Sequence, residues 1–229
     1  MSINPYYDEA EVQRVVEGGG HREAIGGLWE TIGRHQMDFL VGQGLRRDHR
    51  LLDIGCGALR LGVHAVAYLD SAHYFGLDLS PSLIDAGYRH ELDEVGRTKL
   101  PRDHLAANAD FGLGFVGASV DMAIAQSVFT HLPLNHVRRC LAAVAAVLRP
   151  GGVFYATAWV LPEGAPLHQP FEWAGTLNDR SITTSDIRDP YHHAWRDIRF
   201  AIEGLPFGVT LLGDWGHPRG QPMLAFLRR

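Results

Sequence analysis

The chain has 229 residues, of which 46% are hydrophobic and 21% are charged, and its formal net charge is −5. This length suits one substantial hydrophobic core and is short for two independent domains. The negative charge and the lack of a basic block disfavour a nucleic-acid substrate. No run of roughly 18 apolar residues is present, so we expect no membrane span. Two cysteines and no secretory signal favour the cytoplasm.

The first 48 residues are expected to be helical. Apolar side chains at helical spacing predict helices over residues 9–17 and 29–40, and glycines at positions 42 and 44 end the second one. The second helix also carries the polar Gln36 among its apolar positions. We interpret residues 1–48 as a cover or lid, distinct from a domain of residues 49–229.

From residue 51 onward, short apolar strands alternate with helical patterns, which predicts parallel strands with helices on both faces. The strands are expected at 51–54, 73–77, 104–107, 121–125 and 153–158, and the helices at 59–69, 82–94 and 135–148. Pro150-Gly151-Gly152 is expected to stop the last helix. A helix at 194–203 then precedes strands at 209–212 and 223–227, which a compact turn makes antiparallel. The expected fold is a doubly wound α/β sheet of seven strands, mostly parallel, with an antiparallel C-terminal strand.

The most informative run is Leu51-Leu52-Asp53-Ile54-Gly55-Cys56-Gly57-Ala58. Its order of strand, tight turn and helix start directs backbone N–H groups and a helix N-terminus toward a ligand. Glycine is needed in such a turn because a Cβ would hold the ligand away from the backbone. The acidic Asp53 just before the turn suits a ligand with an ammonium group better than a pyrophosphate.

Asp78 follows the second predicted strand, about 20 residues after these glycines, where a carboxylate can accept hydrogen bonds from both ribose hydroxyls of a nucleoside cofactor. Ser80, just before Pro81, is the better cap for the next helix, which leaves Asp78 for the ligand. A dinucleotide-binding turn needs a third glycine where this chain has Arg60. The pattern therefore favours S-adenosylmethionine over a nicotinamide dinucleotide.

The glycine run resembles the first motif of the class I S-adenosylmethionine-dependent methyltransferases, and later stretches fit the same family. Asn108-Ala109-Asp110-Phe111 follows the third strand, a loop with Gln126 follows the fourth, and Leu148-Arg149-Pro150-Gly151-Gly152 precedes the fifth. The resemblance implies a Rossmann-like fold, S-adenosyl-L-methionine as cofactor and an activity within EC 2.1.1. It also implies that Asp110 accepts from the adenine amine, that Phe111 packs on the adenine ring and that Gln126 faces the cofactor. The cofactor-binding residues predicted in this way are Asp53, Gly55, Cys56, Gly57, Asp78, Leu79, Asp110, Phe111 and Gln126.

His131, in the loop after the fourth strand, is the predicted general base. The alternative, that His131 only packs or caps the turn before Pro133, stays open. Cys56 has no base beside it in sequence, which argues against a nucleophilic role. No histidine pair at metal-binding spacing lies beside a carboxylate or a second ligand, so we expect no metal. The loop also lacks the Asn/Asp-Pro-Pro-aromatic run of amide and adenine N-methyltransferases, which argues further against DNA.

The acceptor is expected to bind outside the carboxyl ends of the parallel strands. The connection after the fifth strand begins at that edge, and the turn at 214–221 lies there if the sixth strand is parallel to the others. These segments offer aromatic walls and a cationic donor, and the residues predicted to bind the acceptor are Trp173, Tyr191, Trp215, His217 and Arg219. Arg219 would either pair with a carboxylate or phosphate or brace its own turn.

The sequence thus predicts in-line methyl transfer to a small-molecule acceptor. It does not name the acceptor or its O, N, S or C nucleophile, and it gives no indication of oligomeric state. Two alternatives stay open: a cyclase or lyase that uses the same sulfonium, and a non-catalytic regulatory protein that binds the cofactor.

Overall fold

The computed structural model describes residue 6, residues 8–177 and residues 180–229, without the side chains of residues 174–180. The chain forms two compact units, of which the first ends at Ile124 and the second begins at Ala125. The expected lid boundary near residue 48 lies inside the first unit and stays a prediction. Within the described residues, no helix is long and apolar enough to cross a membrane.

The first unit contains the N-terminal helices and a parallel β-sheet. The helices are α1 (Glu9–Glu17), α2 (His21–Ala24), α3 (Trp29–Gly42), α4 (Gly62–Tyr68), α5 (Pro81–Ala86) and α6 (Glu94–Lys99). The strands are β1 (Leu51–Ile54), β2 (Tyr74–Asp78), β3 (Leu105–Ala107) and β4 (Val120–Ala125), which reaches the unit boundary. They pair in the order β4-β1-β2-β3, and every pair is parallel. All four residues of β1 are buried, as expected for a strand covered on both faces.

The second unit contains α-helices and strands that pair both antiparallel and parallel. The helices are α7 (Leu134–Val147) and α8 (Trp195–Ala201). The strands are β5 (Leu148–Thr157), β6 (Trp159–Val160), β7 (Phe171–Leu177), β8 (Arg180–Thr184), β9 (His192–His193), β10 (Phe207–Gly213) and β11 (Met223–Arg228). β11 pairs antiparallel with both β5 and β10. The two-stranded pairs β6–β9 and β7–β8, which the sequence did not predict, are built from the long connection after β5.

Within the described residues, seven strands, β1 to β5 with β10 and β11, belong to one mixed sheet. This confirms the expected seven-stranded, mostly parallel Rossmann-like sheet with an antiparallel C-terminal strand. Because β5 and β10 are each antiparallel to β11, they run in the same direction. Thr157 pairs with Met223, which puts the turn of residues 214–221 at the carboxyl end of β5, as the sequence required.

The helix predicted over residues 82–94 is interrupted. α5 ends at Ala86 and continues as a π-helix, Gly87–Glu91, and α6 begins only after Asp93 has capped it by accepting from Gly96 N at 2.7 Å. A Cβ at Gly87 would lie 2.4 Å from the backbone oxygen of Ala58. Glycine therefore lets this helix approach the turn after β1 more closely than any other residue would.

Two other boundaries differ from the prediction for local reasons. α4 begins at Gly62 and not at residue 59, because Leu59 has a φ of +65°, which a helix does not permit. Pro150-Gly151-Gly152 does not lie just beyond the end of the helix, because α7 already ends at Val147. These residues instead belong to β5, since a residue before proline is pushed toward extended backbone.

Candidate functional site

The glycine turn after β1 is closed by hydrogen bonds to the end of β2. Gly55 and Gly57 have φ values of +74° and +52°, in the left-handed region that favours glycine. The N–H groups of Gly55 and Cys56 both donate to the backbone oxygen of Leu77, at 2.7 and 3.1 Å. Gly57 N donates to Oδ2 of Asp78 at 2.7 Å. The turn and the carboxylate predicted to bind ribose are therefore joined directly.

Asp78 is held by backbone N–H groups on both sides. Its Oδ1 accepts from Ser80 N at 2.9 Å, and the nearby backbone of Leu79 also favours the ionised form. Burial raises the pKa of Asp78, and the bonds from Ser80, Gly57 and Leu79 oppose that rise. Ser80 Oγ caps α5 by accepting from Leu83 N at 3.2 Å, as predicted. The Asp78 carboxylate is thus fixed at the end of β2 and does not serve as the helix cap.

Asp53 lies almost fully buried in β1, with only 3% of its surface exposed. Tyr74 Oη donates to its Oδ2 at 2.7 Å. Burial raises the pKa of Asp53 to about 7, although the Tyr74 hydrogen bond acts in the opposite direction. A nearby cation would lower that pKa, since it favours the charged form. Asp53 is therefore poised to respond to a positively charged ligand.

Cys56 contributes packing to the turn. Its side chain is buried, and its Sγ lies 2.9 Å from the position that a Cβ on Gly76 would take. Burial raises the pKa of the Cys56 thiol well above its usual value, so the thiol stays protonated at neutral pH. Any direct cofactor contact of Cys56 stays a prediction.

The loop after β3 holds Asp110 and Phe111 beside β2. Asn108 N donates to the backbone oxygen of Asp78 at 3.0 Å, and the Asn108 side chain bonds to Gly112 through both its oxygen and its nitrogen. Asp110 is exposed, whereas Phe111 is half-buried and has a φ of +59°. Their roles toward adenine stay predictions, but the loop that carries them is closed and anchored.

The N-terminal segment lies on the glycine turn. Ile25 Cγ2 is 2.8 Å from where a Cβ on Gly57 would stand, so here the missing Cβ makes room for a side chain of the same protein. Arg60, which replaces the third glycine of a dinucleotide fingerprint, donates to the backbone oxygens of Ile25 and Gly27 at 3.3 and 2.8 Å. A hydrophobic cluster completes this contact, formed by Val12, Trp29, Ala58 and Leu83.

Glu91, at the end of the π-helix, holds the same segment at a second point. Its carboxylate accepts from Arg22 Nε and Nη2 at 2.7 and 2.6 Å, and His21 Nε2 lies 2.5 Å from Oε1. Burial would raise the pKa of Glu91, but the bonds to Arg22 and His21 outweigh it and hold the pKa below its usual value. The Arg22 guanidinium also stacks on Trp29, 4.7 Å from the ring centroid.

In the second unit, Gln126 belongs to a buried polar network at the end of β5. The Gln126 amide nitrogen lies 2.5 Å from Ser127 Oγ and 3.0 Å from His217 Nε2. Ser127 Oγ donates to Gln221 Oε1 at 2.8 Å, and Thr157 Oγ1 donates to the same oxygen at 2.9 Å. The predicted cofactor residue Gln126 and the predicted acceptor residue His217 are therefore in direct contact.

The turn of residues 214–221 is ordered by its own side chains. The rings of Trp215 and His217 stack with centroids 5.3 Å apart, and Trp215 Nε1 donates to the backbone oxygen of Gln221 at 2.9 Å. Arg219 N donates to His217 Nδ1 at 3.2 Å. Three of the predicted acceptor residues, Trp215, His217 and Arg219, thus form one group.

His131 is paired with a carboxylate that sequence reasoning missed. His131 Nδ1 lies 2.5 Å from Asp189 Oδ1, and both side chains are partly exposed, at 26% and 18%. Tyr191 N donates to the backbone oxygen of Thr130 at 2.7 Å, which joins the Asp189 loop to the His131 loop. Burial raises the pKa of the Tyr191 phenol, and the nearby Asp189 raises it further, so the phenol stays neutral.

Trp173 is bonded to the same part of the second unit. Its Nε1 donates to Thr184 Oγ1 at 2.9 Å, and its ring centroid lies 4.6 Å from the ring centroid of Trp159. Thr184 Oγ1 also lies 2.8 Å from Nδ1 of His192, the neighbour of Tyr191. The five predicted acceptor residues therefore fall into two groups, and Trp173 and Tyr191 are linked through Thr184 and His192.

Several residues of these sites were not found from the sequence. Asp189 stands beside Pro190 in the long connection, where no local pattern marks it as a partner of His131. Gly87 had a usable signal, since an isolated glycine within a helical pattern often marks close packing. Among the described residues, no group of three or more histidine, cysteine or acidic side chains is arranged to hold a metal ion.

Residues 52–154 match the profile of a family described as a methyltransferase domain. These residues are therefore similar to a methyltransferase domain, as the resemblance of the glycine run to the class I S-adenosylmethionine-dependent methyltransferases predicted. Proteins of the matching family use S-adenosylmethionine, and the matched residues include most of β1, the glycine turn and Asp78.

A curated protein and several solved structures are similar to this chain. A sterol 24-C-methyltransferase of Neurospora crassa is 25% identical over 193 residues, which cover 80% of this chain and 42% of that protein. The CcbJ methyltransferase of Streptomyces caelestis has the same fold, with a TM-score of 0.64, 13% identity, and coverage of 90% of this chain and 98% of that one. Magnesium protoporphyrin IX methyltransferase of Synechocystis PCC 6803 has a TM-score of 0.61, 16% identity, and coverage of 97% and 100%.

The chemistry of the methyltransferase site fits its cofactor. S-adenosylmethionine carries an ammonium group and two ribose hydroxyls, and all of these are hydrogen-bond donors. The first unit offers two buried acceptors, Asp53 and Asp78, next to a glycine turn. Among the described residues, the hydrogen bonds to these two carboxylates come from neutral groups, and carboxylates suit a positively charged donor group better than a phosphate.

We expect the affinity for S-adenosylmethionine to fall as the pH drops through about 7, because the predicted contact of the ammonium group would need the ionised form of Asp53. Calorimetry should record a loss of up to about tenfold for each pH unit below that value. Methylthioadenosine, which lacks the ammonium group, should show a much flatter profile. The Asp53→Asn variant should bind S-adenosylmethionine more weakly and without this slope. An unchanged slope in that variant would assign the titration to another group.

Proposed function

We propose that this protein transfers a methyl group from S-adenosylmethionine to a small-molecule acceptor. The observation that carries the proposal is the closure of the glycine turn on Asp78, through the 2.7 Å bond from Gly57 N. The family assignment supports it, and so do the relatives, whose names give a sterol and a magnesium protoporphyrin as substrates. The net charge of −5 favours a small molecule over a nucleic acid. Cys56 and Cys140 are both free and buried, which fits the proposed cytoplasmic setting.

In this proposal the cofactor supplies an activated methyl group on a sulfonium, and the protein supplies position and a dry site. Asp78 binds the ribose, and Asp53 binds the ammonium group. Holding the donor and the acceptor in line is worth a large part of the rate, since it removes the entropy of bringing them together. The acceptor residues Trp173, Tyr191, Trp215, His217 and Arg219 then choose the second substrate.

Product analysis tests the proposed function against its two alternatives. The protein is incubated with labelled S-adenosylmethionine and an extract of small metabolites, and we expect S-adenosylhomocysteine together with a labelled acceptor. Methylthioadenosine as the product would favour the cyclase or lyase, and tight binding without turnover would favour a regulatory role. The Asp78→Ala variant should weaken binding by about 1–3 kcal/mol in calorimetry, the scale of losing a buried polar partner.

We further propose that His131 is the general base for acceptors that must lose a proton. With Nδ1 bonded to Asp189, the other ring nitrogen, Nε2, is the one that can take the proton. Asp189 is a positioning residue, because it fixes the tautomer of the ring and stabilises the imidazolium that forms.

We expect the His131→Ala variant to lose about 100- to 10,000-fold in kcat with the identified acceptor, the usual contribution of a general base. The Asp189→Asn variant should lose kcat as well, because an amide can hold the ring in the wrong tautomer. Cofactor affinity should stay the same in both variants. His168, which pairs with Asp186 at 2.7 Å but is 81% exposed, provides the matched control. If the His168→Ala variant lost as much activity, the effect would not belong to the His131 pair.

We also propose that the N-terminal segment acts as a lid over the cofactor. The contacts of Ile25 with Gly57 and of Arg60 with two backbone oxygens of the segment support this role. So does Gln36, which is 4% exposed and whose Oε1 has no partner within the described residues. A lid of this kind excludes water during transfer. The Glu91 ion pair would then help to hold it closed.

The Arg22→Ala variant should release S-adenosylhomocysteine about fivefold faster in stopped-flow measurements, because it loses the paired bonds to Glu91 and the stacking on Trp29. Arg22 is half-exposed, so the fold should be retained. Arg34, whose partner Glu30 is also on α3 and exposed, is the control, and its replacement by alanine should leave the rate unchanged. Equal release rates for the Arg22→Ala variant and the unaltered protein would reduce the segment to a structural cover.

A further inference from the structure

Glu9, the first residue of α1, places a carboxylate next to the start of α5. Its Oε1 accepts two hydrogen bonds from Ser82, one from the backbone N at 3.2 Å and one from Oγ at 2.6 Å. Its other oxygen, Oε2, is buried and has no hydrogen-bond partner in the described part of the chain. A buried carboxylate oxygen without a donor is costly, so a ligand that brings a hydrogen-bond donor to this oxygen would be stabilised there.

The neighbourhood of Glu9 is the ribose end of the cofactor site. Ser82 stands four residues after Asp78, at the beginning of the helix that follows β2. The negative charge of Glu9 is close enough to Asp78 to add to the rise that burial causes in the pKa of Asp78. Two carboxylates are thus near each other, and the hydrogen bonds that the described residues donate to them come from backbone N–H groups and from the Ser82 hydroxyl.

The acceptor capacity of Asp78 explains why a second carboxylate is useful. A carboxylate offers about four lone-pair sites. Backbone N–H groups of Gly57 and Ser80 already use two of them on Asp78, and the backbone of Leu79 is close enough to compete for a third. A ribose presents two hydroxyl donors, so a second acceptor beside Asp78 would relieve this competition. Oε2 of Glu9 accepts no hydrogen bond within the described residues.

We propose that Glu9 is a cofactor-binding residue whose Oε2 accepts a hydrogen bond from one ribose hydroxyl, while Asp78 accepts from the other. This inference rests on the proposed function, because it concerns the same cofactor. It also gives the proposed lid a chemical role, since Glu9 on α1 would accept a hydrogen bond from the cofactor.

Calorimetry with S-adenosylhomocysteine and with its 2′-deoxy and 3′-deoxy analogues tests this inference. The Glu9→Gln variant keeps one side-chain oxygen to accept from Ser82 but replaces Oε2 by an NH₂ group, which donates hydrogen bonds. We expect it to bind S-adenosylhomocysteine about 10- to 100-fold more weakly, the range for a hydrogen bond to a charged group. For the analogue that lacks the relevant hydroxyl, the variant and the unaltered protein should bind equally well. Thermal unfolding without ligand reports separately on any structural role.

Glu11 provides the matched control, because it lies in the first turn of the same helix and its side chain is 53% exposed. The Glu11→Gln variant changes the net charge equally and should bind as the unaltered protein does. The inference is overturned if Glu9→Gln retains full affinity, if both deoxy analogues lose as much as S-adenosylhomocysteine does, or if Glu11→Gln has the same effect. Failure of the unaltered protein to bind S-adenosylhomocysteine at all would instead overturn the proposed function and this inference with it.

Discussion

The carboxylate of Asp78 joins the glycine turn after β1 to the end of β2 in the first unit. A buried carboxylate is costly unless it is hydrogen-bonded, and Asp78 meets that requirement with backbone N–H groups of Gly57, Leu79 and Ser80. The same bonds fix the end of β2 and the glycine turn after β1 relative to each other. The Asp78 carboxylate therefore serves both folding and binding, because the oxygens that would accept from a ribose also close the glycine turn.

The close packing around the turn is achieved in a different way from a dinucleotide-binding fold. There a third glycine lets the helix approach the strand, but here Arg60 occupies its place and reaches instead for the backbone oxygens of Ile25 and Gly27. Close approach is provided by Gly87, whose helix lies against the backbone of Ala58. Arg60 thus joins the N-terminal segment to the glycine turn, and Gly87, elsewhere in the chain, allows the close packing.

The sequence predicted what local patterns encode. Strand β1, the alternation of strands and helices, the Ser80 cap and the antiparallel end of the sheet all follow from periodicity and from residues close in sequence. Contacts between distant residues could not be read in this way. Asp189 and His131 are 58 positions apart, Glu91 is 69 positions from Arg22, and Glu9 is 73 positions from Ser82. Each of these carboxylates looks like an ordinary surface residue until the fold brings its partner close.

Asp53 shows how a predicted binding residue can lower the stability of the ligand-free protein. Its pKa is about 7 in the folded protein, against 3.8 for a free side chain. The folded state therefore holds a proton that the unfolded state releases, and the stability that this proton contributes is lost as the pH rises from about 4 to about 7. Above pH 7 the folded protein bears the full cost of a buried charge, on the order of 4 kcal/mol. An ammonium group bound beside Asp53 would offset that cost. The contribution of Asp53 to the stability of the free protein is thus lowest at the pH where its ionised carboxylate would bind an ammonium group best.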